Sequence, residues 1–183
     1  MAQHSSLPSK SALPRTAVAT LALLFATALG GCGATGLDVF SGKSQPRFSG
    51  EQEEALAALA LTNQERAAAG VAPVTWDPAA AEVAYQHSLY QHSVGTMTHA
   101  GADGMGVHSR MEAGGVPYTM VGENVGVGAS DGAERIVQAW MDSEAHRRNL
   151  LYQTWTHMGL GVYYAPDHPN GGPWWTQVLF LPE

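Results

Sequence analysis

The chain has 183 residues, 45% of them hydrophobic, with nine Lys and Arg against sixteen Asp and Glu and a single cysteine. One cysteine excludes an internal disulfide, so a folded domain here rests on its core alone. The formal charge of −7 excludes the basic surface that nucleic-acid phosphates require, and the length suits one domain.

Taken in chain order, Lys10 and Arg15 precede the apolar run "AVATLALLFATAL" at 17–29, which leads into "GGCG". A basic start, an apolar stretch and small residues at a cut site predict a signal peptide over 1–31. The run is shorter than the roughly 20 apolar residues that a spanning helix needs. "Leu29-Gly30-Gly31-Cys32" resembles the lipobox of bacterial lipoproteins, in which the cysteine thiol takes a diacylglycerol and becomes the new N-terminus. That resemblance implies lipidation at Cys32 and a membrane anchor in the cell envelope. The same resemblance implies, from Gly33 in place of Asp, sorting to the outer membrane where the envelope has two membranes. The alternative is plain secretion, with Cys32 beside an ordinary cleavage site. Each buried methylene of an acyl chain adds about 0.8 kcal/mol, so two or three chains anchor firmly. Without the leader, seven basic residues remain against sixteen acidic ones. Residues 32–50 are Gly- and Ser-rich without helical period and read as a flexible tether, leaving 51–183 as the folded domain.

"EQEEALAALALTNQERAAAG" at 51–70 begins with acids and ends on Gly70, which predicts a helix. Its apolar face reads as Leu56, Leu59 and Ala60, with Asn63 on the same face as a hydrogen-bonding residue. Asp77 and Pro78 start a second helix as N-cap and first helical residue. Val83, His87, Tyr90 and Val94 share one stripe of it, so His87 reads as a core or boundary histidine. Residues 100–120 read as loop with a helical turn around "HSRMEAGG", and "VGENVGVG" at 121–128 as an extended, half-buried segment. "SDGAERIVQAWMDSEAHRRNLL" reads as a helix capped at Ser130 or Asp131, with Ile136, Val137 and Trp140 inward. "HMGLGVYY" and "PWWTQVLF" read as strands flanking the turn formers of "APDHPNGG". Helices followed by terminal strands predict α+β layering. Trp155, Trp174, Trp175, Tyr163 and Tyr164 either line a binding surface or fill the sheet core.

Glu123 is the only charge between Glu112 and Asp131. A buried carboxylate is costly unless paired or hydrogen-bonded, so either the segment is exposed or another residue meets Glu123. His99 in "TMTHAGADG" and His146 in "AWMDSEAHRRNLL" are available to do so. The runs "LTNQERAAAGVAPVTWDPAAAEVAYQH", "THAGADG", "RMEAGG" with the following "PY", "GEN", "AWMDSEAHRRNLL", "MGLGVYY" and "WWTQV" resemble, in order and spacing over about 57–180, a bacterial CAP domain. This is the superfamily of cysteine-rich secretory proteins, antigen five and plant pathogenesis-related proteins, also called SCP domains.

The resemblance implies a three-layer α-β-α sandwich around an antiparallel sheet of three strands, with a cleft holding a His/Glu tetrad. His99 resembles its first histidine, Glu123 the glutamate of the GEN motif, and His146 the histidine of the bacterial SPGHR motif, here "SEAHR". Ser143 stands where animal and plant members carry a second glutamate. Glu144 is adjacent, but one residue along a helix turns a side chain by about 100°. Glu144-Ala145 in place of Pro-Gly lets the helix run on. Two imidazoles and a carboxylate either bind a divalent metal such as zinc or form a buried hydrogen-bond network. HExxH is absent, His87 and His92 are five apart, and Ser143 lacks a G-x-S-x-G elbow, so no motif commits the chain to catalysis. The expectation is a lipid-anchored extracytoplasmic module that binds a lipid, a sterol-like molecule or a protein and requires no cofactor. The runner-up is a metal-assisted hydrolase of the envelope, such as a peptidase.

Overall fold

A computed structural model describes residues 49–128, 132–164 and 172–183. Cys32, the leader and tether, the cap position at Ser130 or Asp131, and nearly all of "APDHPNGG" lie outside the described residues. The element order is α1 (Ser49–Ala68), β1 (Thr75–Trp76), α2 (Pro78–Val94), α3 (Val107–Ala113), β2 (Met120–Val127), α4 (Ala133–Asp142), α5 (Glu144–Leu150), β3 (His157–Tyr163) and β4 (Trp174–Leu181).

The strands form one sheet in the order β1-β3-β4-β2. β4 lies antiparallel to both β3 and β2, and the two-residue β1 adds a parallel edge to the three antiparallel strands the family implies. Alternation along β4 divides the core between two faces. Trp175 and Leu179 join Trp140, Leu150, Met158, Leu160 and Val162 under α1, α4 and α5. Val178 and Phe180 join Val83, Ala84, Met111 and Val116 under α2 and α3. The result is the α-β-α sandwich, and because helices cover both faces, Trp155, Trp174 and Trp175 are buried core, not a binding surface.

The capping of α2 follows from its sequence: the Asp77 carboxylate accepts from the Ala80 amide at 2.7 Å, and Pro78 takes the first turn. Helix α2 sits close to the sheet because β3 presents glycine to it. A Cβ on Gly159 would lie 2.2 Å from the Ala80 carbonyl carbon, and one on Gly161 would lie 2.0 Å from the Tyr85 nitrogen.

Three readings of the helices are corrected. The inward face of α1 is Glu51, Ala55, Ala58, Thr62 and Arg66, while Leu56 and Ala60 are exposed. Small side chains let α1 approach the sheet, and Thr62 and Arg66 satisfy buried polar groups there, so hydrophobicity does not mark this face. Asn63 pairs reciprocally with the Val74 backbone at 2.8 and 3.0 Å. Gly70, at φ 71°, ends the α1 region in the left-handed conformation, with the Val71 amide donating to the Arg66 carbonyl at 2.8 Å. The helix predicted to run through 130–151 breaks at Ser143, whose extended backbone (φ −90°, ψ 121°) separates α4 from α5. Arg147 fastens the break, its guanidinium donating to the Met141 carbonyl at 2.7 Å and its amide to the Ser143 carbonyl at 2.8 Å. Along α2, Val83 and His87 are buried as expected, but Val94 is exposed at its end.

Candidate functional site

Glu123 lies on β2, the edge strand beyond β4, and its side chain is only 3% exposed. Alternation in "GEN" sends its three residues to different work. A Cβ on Gly122 would meet the Asn149 Oδ1 at 2.5 Å, so glycine allows α5 to close on the strand. The Asn124 amide, on the same side, donates to Gln177 at 2.9 Å and to the His146 carbonyl at 3.3 Å, and accepts from Asn149 at 3.0 Å. Glu123 points the other way, toward α3 and the loop after α2.

There its two carboxylate oxygens have separate partners. The His99 Nδ1 donates to Oε1 at 2.8 Å, and the Arg110 guanidinium from α3 donates to Oε2. Arg110 also donates to the His99 carbonyl at 2.9 Å, tying the loop to the same pair. The loop is fixed from α2 as well: the His87 Nε2 donates to the Thr98 carbonyl at 2.7 Å, and the Gln91 side chain accepts from the Thr98 amide at 3.2 Å. His99 itself stays 60% exposed on its side chain. The carboxylate is thus buried, charge-paired and fully hydrogen-bonded, which removes the cost of its burial.

His146 is half-buried on α5 and electrostatically coupled to His99. The hydrogen bond to Glu123 raises the His99 pKa above the ordinary imidazole value. Burial, with the field of His99, lowers that of His146. His99 therefore takes up a proton first as pH falls, and His146 only reluctantly afterwards. Glu144 takes no part: its side chain is 84% exposed and faces Arg148 at 3.7 Å, one turn on along α5. Ser143, at the helix break, forms no side-chain cap. Among the described residues no three His, Cys, Asp or Glu side chains converge as a metal-ligand set. The arrangement does not fit a divalent ion, because the guanidinium of Arg110 already neutralises the one carboxylate.

Residues 59–179 match the CAP family, cysteine-rich secretory proteins. The chain belongs to the CAP family. It is 36% identical over 112 residues to the uncharacterized membrane protein YlbC of Bacillus subtilis, covering 60% of this chain and 32% of that protein. It is 32% identical over 117 residues to YkwD of the same organism, covering 64% of this chain and 43% of YkwD. The matched segment therefore spans less than half of either relative. Among solved structures it is similar to an extracellular SCP-domain protein from Bacillus anthracis, with a TM-score of 0.65 at 28% identity, covering 78% of this chain and 46% of that one. An outer surface protein of Borrelia burgdorferi shares the fold at a TM-score of 0.65 and 15% identity, over 72% of this chain and 95% of that one.

Sequence reasoning about this CAP domain missed Arg110. The signal was present: it is the only Lys or Arg between Arg66 and Arg135, and a lone buried acid needs a cation. Glu123→Gln is expected to bring the His99 pKa down toward its ordinary value, read by NMR titration of the imidazole. The sign for stability follows from the raised folded-state pKa. The His99 contribution is complete below the unfolded value of 6.5 and is lost as pH rises through the higher folded one. His146 acts in the opposite sense, costing stability as pH falls below 6.5 because the unfolded state takes the proton more readily. A His99 titration unchanged in Glu123→Gln would contradict the pairing.

Proposed function

We propose that this CAP domain is an exported, lipid-anchored binding or interaction module of the bacterial cell envelope. The observation that carries the reading is the state of Glu123, whose two oxygens are taken by Arg110 and His99. A carboxylate so occupied serves as a brace that shapes the cleft, with neither a free base nor an open ligand position to offer. His99, exposed at the outer side of that pair, remains to meet a partner, whose class is a lipid, a sterol-like molecule or a protein. Export is supported by the leader pattern before Cys32 and by the extracellular and membrane descriptions of the B. anthracis and YlbC relatives. Attachment is through acylated Cys32, in the outer membrane where two membranes exist.

A second reading, the metal-assisted hydrolase, is favoured by one observation, the coupling of His99 and His146 beside Glu123. A divalent ion there would have to displace Arg110. Zinc calorimetry on the full chain separates the two. The binding-module reading expects no stoichiometric uptake, and a stability loss of about 1–3 kcal/mol in Glu123→Gln from the broken buried network. Stoichiometric uptake that Glu123→Gln abolishes, with folding unchanged, would replace it with the hydrolase.

The anchor has its own test. Cys32→Ser is expected to leave the precursor uncut and to move the protein out of the detergent phase in phase partitioning. Wild-type protein recovered soluble, starting downstream of Cys32 and without acyl mass, would overturn the anchor.

A further inference from the structure

On the α2–α3 side of the domain a cavity of about 430 Å³ lies between the two helices and the loop at 101–103, within the size range of small-molecule sites. Val83, Tyr90 and Ala113 give it apolar walls, with His87 from α2 and Arg110 from α3 among its polar residues. Two buried side-chain atoms among these lack any hydrogen-bond partner, the His87 Nδ1 and the Arg110 Nε. Buried polar atoms are nearly always paired, and here two unpaired ones belong to residues lining one cavity.

Their chemistry is complementary. The His87 Nε2 must carry the hydrogen, because the Thr98 carbonyl it meets at 2.7 Å can only accept. Burial pushes the His87 pKa down, so the ring is neutral and Nδ1 is a bare acceptor. The Arg110 Nε carries an N–H and can only donate. Together the two atoms need one donor and one acceptor, which a single hydroxyl supplies. Glu82 and Asp103 on the lining disfavour an anion, and Arg110 disfavours a cation. His87 is 1% exposed and stacks on Tyr90, with ring centroids 6.0 Å apart, so a ligand contact there requires the Tyr90 ring to move.

We propose that this cavity binds a small, uncharged, apolar molecule carrying a hydroxyl, which donates to the His87 Nδ1 and accepts from the Arg110 Nε. The assignment rests on the reading of the domain as a binding module and locates a small-molecule site for it. It also joins the two sites through one residue, since Arg110 bonds Glu123 through a terminal nitrogen and lines the cavity with its side chain.

The test uses the full chain in detergent, labelled with 15N-histidine, and two probes of nearly equal shape, phenol and toluene, with free concentrations fixed by dialysis. Phenol is expected to move the His87 Nδ1 resonance and to bind at least about ten-fold tighter than toluene, which leaves both polar atoms unpaired. His87→Phe should erase that difference. Ala113→Leu, an exposed position at the end of α3, should narrow the cavity and weaken phenol binding in a folded protein. Equal binding of the two probes, an unmoved Nδ1 resonance up to the solubility of phenol, or phenol binding indifferent to Ala113→Leu would overturn the assignment. Perturbations gathered instead at His99 and His146 would overturn it while leaving the binding-module reading in place.

Discussion

Trp140→Ala is expected to destabilise the domain by about 3–5 kcal/mol, the usual cost of truncating a buried tryptophan. Trp140 is fully buried beneath α4 among Ile136, Val137, Leu150, Trp175 and Leu179. Its indole Nε1 donates to the Val125 carbonyl at 3.0 Å, so the helix is fastened to β2 by a hydrogen bond as well as by packing. The substitution opens a cavity and leaves that carbonyl unpaired at once. With the chain's one cysteine unable to form an internal disulfide, nothing covalent limits the loss, and the melting temperature should fall by about 10 °C or more. Trp140→Phe keeps most of the ring and should lose markedly less. Thermal melts followed by near-UV circular dichroism decide it, and an alanine variant melting within a few degrees of wild type would contradict the packing described.

Arg66→Leu is expected to be at least as damaging, for an electrostatic reason. The Arg66 side chain is completely buried, and its guanidinium donates to four backbone carbonyls: Ala72 at 2.8 Å, Leu150 at 2.8 Å, Tyr152 at 3.1 Å and Trp155 at 3.1 Å. No carboxylate pairs with it among the described residues. Burial pulls its pKa down, and carbonyl oxygens, including the one ending α5, supply the compensation. One side chain thus joins the end of α1 to the segment that carries α5 into β3. Leucine fills the space but orphans several buried acceptors, each worth about 1–3 kcal/mol. Arg66→Lys should fail almost as badly, because a point charge on a flexible stem does not reproduce the planar fork. Denaturant melts giving a loss under about 1 kcal/mol for either variant would refute this role.

Arg66 also shows where sequence reasoning stopped. The start of α2 was legible because Asp77-Pro78 states a cap in local chemistry. Strands β2, β3 and β4 were legible because apolar residues and glycines alternate or cluster between turn formers. The inward face of α1 was not, because it is built from Ala55, Ala58, Thr62 and Arg66, residues chosen for close approach and hydrogen bonding. The break at Ser143 carries neither proline nor glycine and is held by Arg147, a contact no local pattern announces. Strand β1 is two residues long, too short for any period. At the site, the family motif pointed to His99 and Glu123, which the structure places in contact, whereas Arg110, first residue of the matched run "RMEAGG", was given no role there. Its role appears only when α3 is folded against β2.

The centre of β4 settles a question that hydrophobic alternation leaves open. A strand displaced by two residues keeps every side chain on its proper face, so burial alone cannot distinguish the correct pairing from its nearest shifted versions. In "WWTQVLF" the middle pair is polar. Thr176 accepts from Ser88 and Gln91 of α2 at 2.9 and 3.0 Å on one side of the sheet. On the other side Gln177 accepts from Asn124 at 2.9 Å and donates to Thr62 at 3.1 Å. Sliding β4 by two residues past β2 would set Asn124 opposite Trp175 or Leu179 in place of Gln177. Several amide and hydroxyl groups would then be stranded in the dry interior. The two polar residues thus act as a vernier mark on the central strand, making the misaligned sheets costly while adding little to the depth of the correct one.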